Sequence, residues 1–319
     1  MVEERGARAE ERGGAAVAQL PLTVRAAVAA LEDALRAGGV ELPRDEARDL
    51  IAALLDVPRF WPTLNADAPV ERALWAQASA AARRRAAGAP FAYAVGRAAF
   101  RHLTLDVDER VLVPRQETET LVEEVLRLTR GGAGTAVDIG TGSGAIALAL
   151  ASEGRFDRVI ATDLSLDALA VARRNAELLA PALRAPVEFR HGAYCAPLAG
   201  VRASLVVSNP PYIAFDEATT LPASVRDWEP GVALYAGGGG MAAIVAIVRG
   251  AADVLEPGGL LALEVDSRRA SLAAERVAAD GRYREIAVLR DLAGRERIVT
   301  ARRSDDRNPG TAAGHQGER

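Results

Sequence analysis

Four consecutive residues, Asn209-Pro210-Pro211-Tyr212, carry groups suited to chemistry on a planar substrate that bears an NH2 group. They follow an apolar run, residues 203–208, that is typical of a buried strand, and open α/β sheets bind ligands at the carboxyl ends of strands. The two prolines remove backbone donors and keep the segment extended, which leaves the carbonyls of Asn209 and Pro210 free as acceptors. Asn209 adds a side-chain acceptor and Tyr212 adds an aromatic face. This arrangement fits an amide or an exocyclic base amine.

The alternative is that Asn209-Pro210 merely forms a turn, as Asn-Pro often does. A glycine-rich segment upstream instead favours a binding site for a planar group that bears an NH2. Its spacing is G-x-G-x-G, whereas a dinucleotide site has G-x-G-x-x-G with pyrophosphate at the helix N-terminus. The preceding acid, Asp138, would repel pyrophosphate but could hold the ammonium group of an amino-acid moiety. The segment therefore favours S-adenosylmethionine over NAD. Its residues are Gly140, Thr141, Gly142, Ser143 and Gly144.

Two residues near the ends of later strands fit the same cofactor. Asp163 closes the next strand, roughly 20 residues on, where an acid typically binds the ribose hydroxyls. Its alternative role is to cap the helix that follows. Tyr194 follows the third strand, and its ring would either lie against an adenine or belong to the core. Glu117 or Glu119 could approach the methionine end of the cofactor.

Composition limits the kinds of protein this can be. The chain has 319 residues, of which 50% are hydrophobic, and a formal net charge of −4, which argues against a large nucleic-acid footprint. It has no charge-free apolar run of about 18 residues and no apolar signal core near its start. One cysteine, Cys195, excludes an internal disulfide framework, and scattered histidines disfavour a metal site. We therefore expect a cytoplasmic protein with no membrane segment and no metal.

The periodicity of the sequence predicts a helical bundle followed by a doubly wound, mainly parallel α/β sheet that ends in an antiparallel strand pair. A hairpin of residues 103–107 and 111–114 is expected to link them. Thr118 or a neighbour is expected to cap the helix that follows the hairpin. The bundle is either a structural cap or a docking domain. The predicted disordered start, bundle, linking hairpin, sheet domain and disordered tail are residues 1–20, 21–88, 89–113, 114–302 and 303–319.

With these residues placed, the chain resembles the PrmC/HemK family, whose members methylate the glutamine of peptide chain release factors. The Asn-Pro-Pro-Tyr motif alone is shared with adenine and cytosine amino-methyltransferases, whereas Val113–Glu119 and the helical bundle are far more selective. Besides the glycine-rich segment and Asn209–Tyr212, the resemblance rests on Pro90–Phe100, Val111–Glu119, Trp228–Pro230, Gly258–Gly259, Leu263–Glu264 and Asp291–Gly294.

The resemblance implies a Rossmann-like class I S-adenosylmethionine-dependent methyltransferase fold, with the bundle docking a release factor. It assigns catalysis to Asn209, Pro210 and Tyr212, and substrate glutamine binding to these residues and Pro211. A monomer that contacts neither nucleic acid nor membrane is expected. Cofactor binding is assigned to Gly140, Thr141, Gly142, Ser143, Gly144, Asp163, Tyr194 and Asn209.

Four positions depart from the family pattern, and three other functions stay open. Gln116 stands for the usual Pro, Gly239 for Asp and Asp266 for Gly, while Ala193 replaces an acid beside the adenine and could weaken cofactor affinity. The other functions are an N6-adenine methyltransferase acting on nucleic acid, a NAD-dependent oxidoreductase and a non-enzymatic adaptor. Strong salt dependence would mark the first. The glycine spacing disfavours the second, and the intact motif at Asn209 disfavours the third.

Overall fold

The computed structural model describes residues 23–305, which form two compact units. The first unit runs to Arg97 and includes Pro222–Trp228, and the second comprises Ala98–Leu221 and the residues from Glu229 onward. The segments predicted to be disordered, 1–20 and 303–319, lie outside the described residues except for 303–305. Within the described part, none of the helices has the length and apolar character needed to cross a membrane.

The first unit is helical because apolar residues recur on one face of each helix. In α1 the residues Val24, Leu31 and Leu35 are buried. Thr23 caps this helix, since its Oγ1 accepts a hydrogen bond from the N–H of Ala26 at 3.3 Å. The buried faces of α1, α2 and α4 form one hydrophobic core. The helices are α1 (Val24–Ala37), α2 (Pro43–Leu55), α3 (Trp61–Leu64), α4 (Arg72–Ala86) and α5 (Phe91–Val95), with a short helix at Ala223–Arg226.

Within residues 23–305, the second unit contains a seven-stranded sheet flanked by helices, preceded by a two-stranded sheet of β1 (Arg97–Phe100) and β2 (Leu103–Asp106). The large sheet consists of β3 (Thr135–Ile139), β4 (Arg158–Asp163), β5 (Val187–His191), β6 (Ala203–Ser208), β7 (Leu255–Glu264), β8 (Tyr283–Arg290) and β9 (Glu296–Arg303). Its longer helices are α6 (Gln116–Leu128), α7 (Ala145–Glu153), α8 (Leu166–Leu178), α9 (Ala242–Val254) and α10 (Ala270–Asp280), and short helices lie at Gly231–Leu234 and Gly237–Gly240.

The order of the strands is β5-β4-β3-β6-β7-β9-β8. Neighbours from β5 to β7 are parallel, while β9 pairs antiparallel with both β7 and β8. The central strands are apolar on both sides, as expected for a parallel sheet covered by helices on both faces. The predicted doubly wound α/β class and the antiparallel pair at the end are confirmed.

The register of three neighbouring strands brings the candidate residues to one edge of the sheet. Ile139 at the end of β3 pairs with Thr162 of β4 on one side and with Ser208 of β6 on the other. The chain winds away from β3 through β4 and β5 and then returns to its other side as β6, so the switch point lies between β3 and β6. The glycine-rich segment, Asp163 and Asn209 all follow these strand ends.

The linking hairpin differs from the prediction. It consists of β1 and β2, whereas residues 111–114, predicted as a strand, form a loop. Pro114 has no backbone donor for a strand ladder, and Arg115 ties the end of this loop to Glu229 through a 2.6 Å ion pair. The start of the stretch Pro90–Phe100, which carries part of the family resemblance, forms the short helix α5 before β1.

Strand β7 begins at Leu255, so the sequence Pro257-Gly258-Gly259 lies inside the strand. A register shift between the pairs Ala203–Leu255 and Leu205–Leu260 accommodates it as a bulge. Gly258 has a φ of 79°, which other residues rarely adopt.

One buried side chain, Asn175 on α8, fastens the glycine-rich segment to the neighbouring β2. Its Nδ2 donates to the carbonyl of Ser143 at 2.9 Å and to that of Asp106 at 3.0 Å. Its Oδ1 accepts from the N–H of Asp106 at 2.8 Å. The amide group of Asn175 therefore satisfies three backbone groups that have little access to water.

We expect Asn175→Ala to lower the free energy of unfolding by about 2–4 kcal/mol, because it leaves these buried backbone groups without partners. The measurement is urea denaturation monitored by far-UV circular dichroism. Tryptophan fluorescence would not report on the second unit, which contains Asn175, because all three tryptophans, Trp61, Trp75 and Trp228, belong to the first unit. Exposed Glu177 on the same helix provides the control: Glu177→Ala should change the value by less than about 0.5 kcal/mol. Equal values for the two variants would contradict the role given to Asn175.

Candidate active site

A cavity of about 280 Å³ opens at the edge of the sheet where β3, β4 and β6 end. This volume is close to the lower end of the roughly 300–1,000 Å³ typical of small-molecule sites. The loop 110–112 and the segment 230–237 line its other sides. The predicted site residues that line the cavity are Gly140, Gly142, Asp163, Tyr194, Asn209, Pro210 and Pro211.

The glycines of the segment have two different functions in the structure. Gly140, Gly142 and Gly144 all have positive φ values, of 75°, 55° and 87°. A Cβ atom added at Gly140 or Gly142 would meet no atom within 4 Å, so the backbone there borders open space and a ligand can approach it closely. A Cβ atom at Gly144 would lie 3.0 Å from Leu148 Cδ1, so Gly144 serves the packing of α7.

The polar residues of this segment do not reach the cavity. Thr141 is buried, and its hydroxyl donates to Asp138 Oδ2 at 2.7 Å. Ser143 is also buried, and its carbonyl accepts from Asn175. Both side chains are therefore buried, the Thr141 side chain and the Ser143 carbonyl fix the shape of the loop, and the predicted contact of either residue with a cofactor stays a prediction.

Asp138 is a fully buried acid behind the glycine-rich segment. Its Oδ2 accepts from Thr141 and from the N–H of Ala147 in the first turn of α7. Burial raises the pKa of Asp138 to about 7, although these two hydrogen bonds favour the charged form. Oδ1 has no hydrogen-bond partner in the part of the chain that the structure describes. Asp138 holds the loop to its helix, and its contact with an ammonium group remains a prediction.

Asp163 lies where the sequence predicts it, on the wall of the cavity. Its Oδ2 accepts from the N–H of Gly142 at 2.9 Å, and its Oδ1 accepts from the N–H of Ser165 at 2.8 Å. The alternative role of helix cap is wrong, because Ser165 caps α8 by accepting from the N–H of Ala168. Each carboxylate oxygen can accept a further hydrogen bond from the cavity.

Tyr194 borders the cavity in a strained backbone conformation. Its φ is 49°, a left-handed value that bulky residues rarely adopt, and 40% of its surface is exposed. The alternative that Tyr194 is a core residue is therefore wrong. Strain of this kind costs about 1–3 kcal/mol and persists where the surroundings enforce it, often at binding sites. Next to it, Ala193 lines the cavity without any polar group.

The Asn-Pro-Pro-Tyr motif divides between the cavity and the core. Asn209, Pro210 and Pro211 line the cavity, and the Nδ2 of Asn209 donates to Thr118 Oγ1 at 3.0 Å. Tyr212 does not line it but packs against the hydrophobic core of the sheet. Burial raises the pKa of the Tyr212 hydroxyl above its usual range. Because Tyr212 packs there and not at the cavity, the predicted contact of its ring with a substrate amide stays a prediction.

Sequence reasoning missed Thr118 and Glu264 as parts of the site. The expectation that Thr118 or a neighbour caps α6 is wrong, because Arg115 is at the N-cap position without a capping hydrogen bond from its side chain, and Thr118 lies inside the helix, 5% exposed. Glu264 is the last residue of β7 and only 1% exposed. Burial raises the pKa of Glu264 to about 7, against a hydrogen bond from Thr118 and the charge of Arg297. An acid at the end of the apolar run 260–263 was the available signal.

Arg115 and Glu229 were also missed. Arg115 Nη2 lies 2.6 Å from Glu229 Oε1, and the side chain of Glu229 has no solvent exposure. Burial raises the pKa of Glu229, and the Arg115 guanidinium opposes that shift. The pair fixes the loop 110–115 against the segment 230–237, and both segments line the cavity. Both residues lie in stretches that carry the family resemblance.

Comparison with known proteins identifies the parts of the chain. The profile of the PrmC N-terminal domain matches residues 26–96, and that of the Methyltransferase small domain matches residues 100–224. Among solved structures, the hMettl16 catalytic domain in complex with a 3'UTR hairpin aligns with a TM-score of 0.50. That alignment covers 74% of this chain and 84% of that chain at 15% identity, and it shows a shared fold.

Curated relatives match over nearly the whole chain. A release factor glutamine methyltransferase from Moorella thermoacetica is 43% identical over 289 residues, which cover 89% of this chain and 100% of that protein. The one from Cereibacter sphaeroides is 41% identical over 84% of this chain and 94% of its own length. With this level of identity over complete relatives, the chain belongs to the release factor glutamine methyltransferase family.

Proposed function

We propose that this protein transfers a methyl group from S-adenosylmethionine to the side-chain amide nitrogen, N5, of the glutamine in the GGQ motif of peptide chain release factors. The observation that carries the proposal is that one cavity joins the glycine-rich segment with the acceptors of Asn209 and Pro210. Both reactants can therefore meet in it. The names of the relatives support the choice of substrate.

The residues of the cavity fit S-adenosylmethionine. Open space beside Gly140 and Gly142 admits the amino-acid part of a ligand against the backbone. The remaining lone pairs of Asp163 suit ribose hydroxyls, and Tyr194 offers a ring face for the adenine. When bound, the cofactor supplies an electrophilic methyl group on a sulfonium. Ala193, where relatives usually have an acid, removes one possible partner of the adenine.

The acceptors at Asn209 address the main chemical difficulty, which is that an amide nitrogen is a poor nucleophile because its lone pair is delocalised. The Oδ1 of Asn209 and the carbonyl of Pro210 accept hydrogen bonds from the two N–H groups of the glutamine amide. This aims the nitrogen at the methyl group for in-line displacement and favours the positive charge that develops on the nitrogen, which is neutralised when the nitrogen releases one of its two protons to solvent. Pro211 keeps the segment extended, and Tyr212 anchors it to the core.

The helical first unit is the proposed docking domain for the release factor. Its support is the match to the PrmC N-terminal domain over residues 26–96. Release factors act on translating ribosomes, so we place the protein in the cytoplasm, and we expect it to act as a monomer.

An N6-adenine methyltransferase acting on nucleic acid is the second candidate, because an exocyclic base amine offers the same two N–H bonds as an amide. The family membership and the net charge of −4 argue against it. The likeness to hMettl16 concerns the fold alone.

The proposed activity is tested by incubating the protein with S-adenosylmethionine carrying a labelled methyl group and a purified release factor. We expect label on the wild-type factor and none on a factor whose GGQ glutamine is replaced by alanine. Label on a nucleic-acid substrate only, with strong salt dependence, would instead support the second candidate. Cofactor binding without transfer to either substrate would support the adaptor.

For Asn209→Ala we expect kcat to fall by about 100-fold or more, because the variant loses the acceptor that orients the amide. The measurement is the initial rate of methyl transfer over multiple turnovers at saturating cofactor and release factor. Circular dichroism spectra of the variant should match the wild type, which separates this loss from unfolding. Near-normal turnover would contradict the proposed mechanism.

For Asp163→Ala we expect the Kd for S-adenosylmethionine to rise about 10- to 100-fold, since the variant loses hydrogen bonds to the ribose. Isothermal titration calorimetry measures the change. Asp157, an exposed acid at the opposite end of β4, gives the matched control Asp157→Ala, for which we expect an unchanged Kd. A Kd for Asp163→Ala equal to that of the control would exclude the ribose contact.

A further inference from the structure

A line of polar side chains runs from Asn209 away from the cavity. The Nδ2 of Asn209 donates to Thr118 Oγ1 at 3.0 Å, and the Thr118 hydroxyl, as a donor to the neighbouring Glu264 carboxylate, favours the charged form of that acid. Thr118 lies in the first turn of α6, and Glu264 is the last residue of β7. Three separate elements thus meet behind the acceptor that we assign to the substrate amide.

The chemistry of these groups determines which one donates and which one accepts each hydrogen bond. A hydroxyl has one proton to donate, and an ionised carboxylate can only accept. The proton of Thr118 therefore points to Glu264, and only the lone pairs of Thr118 face Asn209. Asn209 must present its NH2 group to them, which turns its oxygen toward the other side, where the cavity lies. The flipped amide would put two oxygens against each other without a proton between them.

Glu264 is a buried acid, and burying its charge is energetically unfavourable. Arg297, itself 9% exposed and 3.7 Å from Asp291, and Arg115 favour its charged form, whereas burial and the charge of Glu117 oppose it. After burial, the charge of Glu264 is the next cause that raises the pKa of the Tyr212 hydroxyl. In addition, Glu264 Oε2 has no hydrogen-bond partner among residues 23–305. A leucine here would be easier to bury, so packing alone does not account for the acid.

We propose that Thr118 and Glu264 are positioning residues, which hold the Asn209 amide so that its oxygen faces the substrate. This inference rests on the proposed function, because it assigns a purpose to an orientation that matters only if Asn209 Oδ1 accepts a hydrogen bond from the substrate. Neither residue needs to touch the reactants.

The direct test compares two substitutions at Thr118. Thr118→Val keeps the shape but removes the hydroxyl, and we expect kcat to fall about 10- to 100-fold with KM for the release factor and Kd for the cofactor within about twofold. Thr118→Ser keeps the hydroxyl and should retain kcat within about threefold. Thr129→Val makes the same change just after α6, where the hydroxyl bonds only to helix carbonyls, and should leave kcat unchanged.

A double-mutant cycle shows whether Thr118 acts through Asn209. In a background of Asn209→Ala, Thr118→Val should cause no further loss of kcat, since no amide is left to orient. Independent, multiplying losses would overturn the proposal.

The pH profile tests Glu264. Burial raises its pKa to about 7, and the protonated acid can donate to Thr118, which frees the hydroxyl proton for Asn209 and permits the flipped amide. We therefore expect kcat to fall as the pH drops through about 7, and this step to vanish in Glu264→Gln. A step that persists in Glu264→Gln would belong to another group, such as Asp138, and would contradict the role of Glu264.

The outcomes separate this inference from the proposed function. If the wild-type protein labels the release factor and Thr118→Val has an undiminished kcat, only the positioning role is wrong. Equal loss of kcat in Thr118→Val and Thr118→Ser, or altered circular dichroism of both, would show a structural role instead. If the wild type labels no release factor, both proposals are overturned.

Discussion

The hydrogen-bonded register of β3 with its two parallel neighbours is the constraint on which the whole site depends. Because Ile139 pairs with Thr162 on one side and with Ser208 on the other, three loops leave the sheet at the same level. One loop offers an open glycine backbone, one offers a carboxylate, and one offers the acceptors at Asn209. A slip of one residue in any of these strands would turn its side chains to the opposite face and separate these groups.

Three of the segments that line the cavity are held from behind by buried acids. Asp138 holds the glycine-rich segment through Thr141, and Glu229 holds the loop 110–115 through Arg115. Glu264 stands behind Asn209 through Thr118. Each acid costs free energy to bury, and burial raises the pKa of all three. The three buried acids thus lower the stability of the fold, but they fix the segments that line the cavity.

The sequence predicted the sheet and the cavity wall because both follow from local patterns. Apolar runs, glycine spacing and residues at strand ends placed Asp163, Tyr194 and Asn209 correctly at the cavity. The limits of the linking hairpin were wrong, because they depend on distant contacts such as the Arg115–Glu229 pair. The link from Asn209 to Thr118 joins residues far apart in the chain, and no spacing rule predicts such a contact.

The acceptors at Asn209 and Pro210 cannot by themselves choose between an amide and a base amine, since both substrates present a planar NH2 group with two N–H bonds. We therefore infer that selectivity comes from the walls around the acceptors. Those walls are the loop 110–112 and the segment 230–237, and the Arg115–Glu229 pair fixes one against the other. The proposed mechanism thus accounts for a motif that recurs among amino-methyltransferases of different substrates beside a stretch around Arg115 that is selective for one family. In that mechanism, the chemistry resides in the motif, and the choice of substrate resides in the loops held beside it.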